Sequence, residues 1–464
     1  MSALPSTFLD TITNIVGAEH VRRDAASLLT YGTDALLKGH PADLVVQPAS
    51  TAEIAAIARQ CHDMRVPLVP RGGGTGYTGG AVPLAGGVVL SLERLNRILE
   101  VDEQNLLAVV EPHVITGALQ EAVERVGLFY PPDPASLKQS VIGGNVAECA
   151  GGPRAFKYGT TKRYVLGLEA VLPTGEVIET GSKVVKNVVG YDLTQLLVGS
   201  EGTLAIITKI ILRLVPKPPV QITMRACFPS VDAAIEAVSE LLRRRVVPAT
   251  IELIDGECLD AVAGYVGERL APPGTAALLL VEVDGLGAGV TDEADQCEAA
   301  CRALGGSDLL RAADPESRER LWRVRREVSP SLKRIAPLKI NHDVVVPRGR
   351  IPQLFALVAR LRRQFDLTIP CFGHAGDGNI HVNVMVDPAD AAAVARAHEA
   401  ERALFVGVVA LEGSISGEHG IGFSKAPFIG LELSSIEIAL MKRVKQAFDP
   451  HGILNPGKIF PAEG

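Results

Sequence analysis

No stretch of about 18 consecutive apolar residues occurs in this 464-residue chain, so no segment reads as a helix able to cross a bilayer. Met1 to Asp10 has neither a basic start nor an apolar core, which argues against a secretory leader there. The expected location is cytoplasmic, with a peripheral seat on the inner face of the membrane left open. Blocks of one charge are also missing: the net charge of -7 is spread along the chain. Basic residues gather only at Arg243 to Arg245 and around Arg318 to Arg326, where the pattern reads as solvated helix faces. No basic stripe supports a nucleic-acid partner. Cys-x-x-Cys pairs are absent among the seven cysteines at 61, 149, 227, 258, 297, 301 and 371. The expectation is reduced thiols, with any iron-sulfur cluster carried by another chain. Cys297 and Cys301 stand one helical turn apart and read as packing residues. There is no internal repeat and no low-complexity tract.

What is present is ample core material, 47% hydrophobic residues, enough for two or three domains. The densest chemistry lies in Gly373-His-Ala-Gly-Asp-Gly-Asn-Ile-His-Val-Asn383 and Gly417-Glu-His-Gly420. Glycines at 373, 376 and 378 permit a tight turn after His374, and Ile380 to Val386 then reads as a strand, with His381 and Asn383 on one side. Two imidazoles and a carboxylate make an N,N,O set with open positions, as a catalytic metal requires. His374 and His381 are the candidate ligands, with Glu418 as the carboxylate. Their neighbour His419 is left to act as general base. A histidine in a glycine-rich loop often does no more than satisfy backbone groups. Three histidines and a glutamate in glycine-marked turns within 46 positions favour a site.

Upstream, 51 to 65 reads as an amphipathic helix and Val66 to Pro70 as a strand leading into Arg71-Gly-Gly-Gly-Thr-Gly-Tyr-Thr-Gly-Gly80. Gly74, Gly76 and Gly79 fit the G-x-G-x-x-G fingerprint of dinucleotide sites. That fingerprint needs a helix opening at the glycines, and Pro83, Gly86 and Gly87 forbid one. A glycine loop can still cradle phosphate with its backbone N-H groups. Two further small-residue units, Ile142-Gly-Gly-Asn-Val-Ala-Glu-Cys-Ala-Gly-Gly152 and Gly199-Ser-Glu-Gly-Thr-Leu204, are read as loops that wall one long ligand. Leu214-Val-Pro-Lys-Pro-Pro-Val220 is a proline-rich joint. Beyond it the order strand 221 to 227, helix 231 to 245, strands 249 to 254 and 276 to 283, helix 290 to 304 suggests a ferredoxin-like layer. A helix 315 to 334, a strand 340 to 346 and a helix 350 to 364 extend it. Helices 388 to 410 and 433 to 448 close the chain.

Taken in order, Pro70-Arg-Gly-Gly-Gly-Thr-Gly76, Gly143-Gly-Asn145, Gly199-Ser-Glu-Gly-Thr203, Gly373-His-Ala-Gly-Asp-Gly-Asn379, Gly417-Glu-His-Gly420 and Asn455-Pro-Gly-Lys458 resemble the FAD-linked D-2-hydroxy acid dehydrogenases across the whole chain. That family includes D-lactate dehydrogenase, D-2-hydroxyglutarate dehydrogenase and the flavin subunit of glycolate oxidase. The resemblance implies an α+β chain: a vanillyl-alcohol-oxidase-type FAD-binding domain over 1–216, a ferredoxin-like cap over 217–412 and a C-terminal helical segment over 413–464. It implies non-covalent FAD held by Pro70, Arg71, Gly72, Gly73, Gly74, Thr75, Gly76, Gly79, Pro134, Ser140, Gly143, Gly144, Asn145, Gly151, Tyr158, Glu201, Gly202, Ile207 and Asn455. By the same resemblance His374, His381 and Glu418 hold a divalent metal, Zn or Mn, His419 is the base, and Asn383 touches substrate. Trp322-Arg-Val-Arg-Arg326 is similar to the family's Trp-x-x-Arg, whose arginine clamps the substrate carboxylate; Arg325 is the nearer match and Arg326 its rival. Either is equally read as a surface arginine on a charged helix. Lys339 is a second candidate carboxylate contact. Position 113 departs from the family's glycine with a histidine, and Ala205 stands where glycine is common.

The implied reaction is oxidation of a D-2-hydroxy acid of the glycolate or D-lactate type to the 2-oxo acid. Its electrons pass to a quinone, an electron-transferring flavoprotein or an iron-sulfur subunit, and a homodimer is allowed. The rival from another reaction class is a flavin synthase of the alkyl-dihydroxyacetone-phosphate synthase type. A third reading, an electron-relay subunit, would need no Glu418-His419 pair.

Overall fold

The computed structural model describes residues 4–461, which divide into two compact units. The first comprises residues up to Gly151, Thr160–Lys217 and the chain from Glu418 onward; the second comprises Gly152–Gly159 and Pro218–Gly417. The cuts fall after Lys217 and after Gly417, and eight residues from the middle of the first segment, Gly152–Gly159, belong to the second unit.

In the first unit, strands Leu44–Val46, Val88–Ser91 and Leu68–Arg71 run parallel, and Val21–Arg22 adds an antiparallel edge. Leu44–Val46 and Val88–Ser91 are buried at every position, so they read as apolar runs rather than alternating ones. The helix Thr51–Met64, capped by Ser50 at the Glu53 amide, packs Ile54, Ile57, Ala58 and Cys61 onto this sheet. A second sheet of five antiparallel strands has the order Ile98–Asp102, Leu107–Val110, Ile206–Arg213, Val165–Val171, Val177–Gly181. The returning C-terminal segment is stitched to the first sheet by a bridge between Leu68 and Leu454.

One expectation is corrected here. The cluster beginning at Ile142 is no loop: Ile142–Glu148 is a short helix, although it carries Gly143 and Gly144. Glycine costs about 1 kcal/mol in a helix, but a Cβ at Gly143 would stand 2.5 Å from the Pro112 ring, so close approach decides the residue. Downstream of the first glycine loop no helix forms between 72 and 87, as its prolines and glycines require.

The second unit is one antiparallel sheet of seven strands, ordered Ser307–Ala312, Val220–Phe228, Ala277–Gly285, Thr250–Asp255, Cys371–His374, Asn379–Val386, Leu338–Val345. Helices Val231–Arg243, Gly256–Val266, Gly289–Ala303, Pro315–Ser331, Ile351–Phe365 and Ala391–Ala410 accompany it. The metal-candidate hairpin forms the fifth and sixth strands of this order, and Cys371–His374 and Asn379–Val386 are buried at every position.

Candidate functional site

The glycine loop of the first unit is built around a cation. Arg71 closes the strand Leu68–Arg71, and a Cβ at Gly74 would collide with its guanidinium. Burial lowers the Arg71 pKa, countered by the Asp34 carboxylate, yet a guanidinium stays protonated in proteins. Its Nη1 is buried and has no hydrogen-bond partner among the described residues. A buried cation with an unsatisfied donor beneath a run of glycine amides fits an anionic group such as a pyrophosphate. Gly79 has a left-handed φ of 80°, and a Cβ there would strike the Phe423 ring at 2.0 Å, so no other residue fits.

Around this loop the expected cofactor residues fall into two buried clusters. Ser140, Asn145 and Thr116 form one: the Asn145 amide donates to Thr116 Oγ1 at 2.7 Å, and Thr116 Oγ1 lies 3.0 Å from Ser140 Oγ. Sequence reasoning missed Thr116. Pro70, Gly202, Glu201 and Asn455 form the other. Asn455 Nδ2 donates to the carbonyls of Gly80 and Glu201, both at 2.8 Å, while a Cβ at Gly202 would meet Pro70 at 3.5 Å. The Glu201 side chain is committed elsewhere, accepting from the amides of Ile421 and Gly422 at 2.7 Å each. Burial raises its pKa against these amide bonds. Glu201 therefore fastens the turn that follows His419. Pro134 caps a turn by accepting from the Leu137 amide at 2.8 Å, and Ile207 is buried in its sheet. Tyr158 belongs to the second unit, where its hydroxyl donates to Asp284 Oδ2 at 2.6 Å.

In the second unit, His374 ends one hairpin strand and His381 stands on the next. Their rings are 5.4 Å apart and nearly perpendicular, 82°. A four-residue turn joins the strands. Gly378 takes φ 91°, and a Cβ on it would lie 2.0 Å from the Val346 carbonyl oxygen. His381 pairs across the sheet with Asp343. The Gly417 amide in turn donates to both the Asp343 carbonyl at 2.9 Å and its carboxylate at 3.0 Å. One peptide bond after Gly417 comes Glu418. His374 and His381 thus stand on adjacent strands of one sheet, and the chain held against Asp343 at Gly417 runs directly into the expected third ligand. Two imidazoles and a carboxylate make a donor set that fits a divalent ion with positions open to a ligand.

His419 shares its surroundings with Tyr77, ring centroids 5.3 Å apart, and its carbonyl accepts from Thr78 Oγ1 at 3.0 Å. Gly151 abuts the neighbouring carboxylate: a Cβ there would stand 2.8 Å from Glu418 Oε2.

The candidate substrate residues separate sharply. Arg325 is 8% exposed, its Nε donates to Glu252, and its guanidinium lies 4.6 Å from the Phe372 ring centroid. Arg326, one residue on, keeps a side chain 46% exposed and is held by the Glu319 carboxylate at 2.5 Å. Lys339 Nζ donates to Ser329 Oγ at 2.8 Å, and burial, helped by Lys333, lowers its pKa. Asn383 is fully buried: its amide nitrogen donates to the carbonyls of Pro370 and His381, and its oxygen accepts from Asn341. Both amide hydrogens of Asn383 are thus consumed inside the sheet, which leaves its oxygen as the only group with capacity to spare.

Sequence reasoning also missed Glu252. The signal was a carboxylate inside the otherwise apolar run Ile251-Glu-Leu-Ile254, where an unpaired charge would be prohibitive. Burial pushes the Glu252 pKa up, but the neighbouring His374 and Arg325 outweigh it and hold the carboxyl at about 2.

Residues 217–459 match the family of FAD linked oxidases, C-terminal domain, and residues 42–181 match the FAD binding domain family. The chain is 42% identical over 453 residues to glycolate oxidase subunit GlcD of Bacillus subtilis, covering 97% of this chain and 96% of the relative. It is 35% identical to D-lactate dehydrogenase of Anaerostipes hadrus, covering 90% and 89%. Among solved structures, p-cresol methylhydroxylase superposes with TM-score 0.81 at 18% identity, covering 98% and 97%. Alkyldihydroxyacetonephosphate synthase does so with TM-score 0.76 at 18% identity, covering 98% and 86%; both likenesses speak to fold alone. With more than half of its length matched by the first of these families, and with a fold of the p-cresol methylhydroxylase type, the chain belongs to the FAD-linked oxidases and is an FAD-dependent oxidoreductase.

Proposed function

We propose that the protein oxidises a D-2-hydroxy acid of the glycolate or D-lactate type to the 2-oxo acid, using non-covalent FAD and a divalent metal, Zn or Mn. What supports the reading is the pairing of His374 and His381 on adjacent strands, ring centroids 5.4 Å apart, with the Gly417 amide held to Asp343 one residue before Glu418 and His419. The names of the relatives, a glycolate oxidase subunit and a D-lactate dehydrogenase, favour this substrate class. When bound, the flavin supplies a hydride acceptor and the metal a Lewis acid that lowers the pKa of the substrate hydroxyl.

In this reading the chain's own residues divide the work. His374, His381 and Glu418 hold the ion. Arg325 binds the substrate carboxylate through two parallel bonds, with Lys339 as a second cation beside it. Asn383 touches substrate only through its oxygen. His419 takes the hydroxyl proton. The electrons would go to an acceptor other than oxygen: a quinone, an electron-transferring flavoprotein or an iron-sulfur subunit. The word subunit in the relative's name supports an assembly with another chain. Likeness to the alkyldihydroxyacetonephosphate synthase is confined to fold and adds nothing to a synthase reading.

A screen of D- and L-2-hydroxy acids with an artificial dye acceptor tests the reading, together with metal analysis of the purified enzyme. Turnover of short D-acids with about one divalent ion per chain is expected. Preference for L-acids overturns the stereochemical assignment, and full activity without metal removes the Lewis acid.

A further inference from the structure

Glu252 touches both halves of the proposed substrate site, His374 and Arg325. It sits on the strand Thr250–Asp255, 0% exposed, directly opposite His374 in the antiparallel ladder. Opposed residues of such a ladder present their side chains on the same face. Glu252 Oε1 lies 2.5 Å from His374 Nδ1, and its other oxygen accepts from Arg325 Nε.

We infer that Glu252 is a positioning residue that fixes the tautomer of the metal ligand His374 and the aim of the carboxylate clamp Arg325 together. This inference rests on the function proposed above and deepens it. An ionised carboxylate can only accept, so the hydrogen bond requires the proton of His374 to reside on Nδ1. In the neutral ring the lone pair is then on Nε2, the nitrogen proposed to coordinate the metal. A carboxylate partner on the far nitrogen also makes an imidazole a better donor to metal.

On the other side, a guanidinium has two edges able to take a carboxylate in parallel. Glu252 engages Arg325 at Nε, which assigns the Nη1–Nη2 edge to substrate. The Phe372 face below the guanidinium keeps its plane. The helix Pro315–Ser331 that carries Arg325 is anchored one turn earlier, where Trp322 Nε1 donates to Glu282 Oε2 at 3.1 Å, a carboxylate that also accepts from Thr223 Oγ1 at 2.6 Å. Arg325 therefore swings only about its side chain, and Glu252 closes that freedom. One buried carboxylate thus fixes the spacing between the metal ligand and the cation for the substrate carboxylate, the two anchors that a 2-hydroxy acid must span.

Histidine-selective nitrogen-15 NMR of the wild-type protein, with His374 assigned by its loss in His374→Gln, reads the first half directly. A proton on Nδ1 of His374 is expected, and a bare Nδ1 overturns the inference. The isosteric Glu252→Gln places an amide where two donors, from His374 and Arg325, require acceptors. Competition with a chromophoric chelator should show zinc affinity weakened by about 10- to 100-fold, and KM for the hydroxy acid should rise with it. Glu252→Asp, which keeps the charge, should recover part of both. A folded Glu252→Gln with wild-type zinc affinity and KM sinks the proposal, because a purely structural carboxylate would move melting temperature and leave those two unchanged. If the wild type takes up no metal, the proposed function fails instead, and the Nδ1 proton of His374 still decides the assignment made here.

Discussion

Neighbouring arginines do different work because a helix turns about 100° per residue, carrying Arg325 into the protein and Arg326 toward solvent. The distinction is energetic. Arg325 is desolvated and held by a buried carboxylate and an aromatic face, so its guanidinium is pre-organised for the carboxylate it is proposed to bind. Lysine in its place would keep the charge but not the fork. Arg325→Lys should cost about 10- to 100-fold in kcat/KM for a hydroxy acid, the worth of one charge-assisted bond, whereas Arg326→Ala should stay within about twofold. Steady-state kinetics on both variants checks this, and equal losses would erase the distinction. His419 is tested on a different axis. Loss of a general base typically costs about 100- to 10,000-fold, so His419→Asn should lower kcat by that factor with the flavin spectrum intact. Wild-type turnover in the variant would remove His419 from proton transfer.

At the scale of elements, the second unit was the more legible half. Its strands and helices alternate at ordinary lengths with clear punctuation, and the reading of strand 221 to 227 and helix 231 to 245 lands on Val220–Phe228 and Val231–Arg243. Gly256–Val266 escaped because its low polarity merges with the strand before it; only Asp255, which caps it at the Cys258 amide, marks the change. The edge strand Ser307–Ala312 escaped because it is short and half exposed. The helix on Ile142 was missed for a different reason, since local propensity lost to close packing against Pro112. Within the candidate site, motif residues were legible because glycine marks them. Glu252, Thr116 and Asp343 were not, because their roles exist only in contacts between segments far apart in the chain, strand to strand for Glu252 and Asp343 and between a helix start and residues 140 and 145 for Thr116. The hairpin carries its own prediction. Gly378→Ala forces a left-handed φ on alanine and drives Cβ into the Val346 carbonyl, so it should destabilise the protein by about 1–3 kcal/mol in urea unfolding. It should also loosen metal binding, since His381 lies three residues on; a variant with wild-type midpoint would show the turn to be slack.

For the molecule as a whole, two consequences follow from how charge and cofactor sites are distributed. Asp34, 5% exposed, has its pKa pushed by burial from 3.8 to about 6, opposed by the Leu36 amide and by Arg71. The folded protein therefore holds more protons than the unfolded chain between about pH 4 and pH 6. Stability from this group is present below that window, falls as pH rises through it and is flat above. The rise corresponds to about 3 kcal/mol favouring the neutral form. Asp34→Asn should accordingly raise the melting temperature of flavin-free protein at pH 8 and remove the slope between pH 4 and pH 6; a lower melting temperature would mean that attraction to Arg71 outweighs desolvation. The second consequence concerns independence. The stretch matched to the FAD binding domain falls almost wholly in the first unit, while His374 and His381 belong to the sheet of the second. A substitution in that sheet removes a proposed metal ligand and leaves the residues of the Arg71 loop unchanged. His381→Ala should therefore lose metal and turnover together but retain one flavin per chain, measured by absorbance after gel filtration alongside metal analysis. The same protein stripped by a chelator should stay yellow and regain activity when Zn or Mn is returned. Flavin lost in step with metal in both experiments would show that the two sites fold as one, and the division of labour between the units would have to be withdrawn.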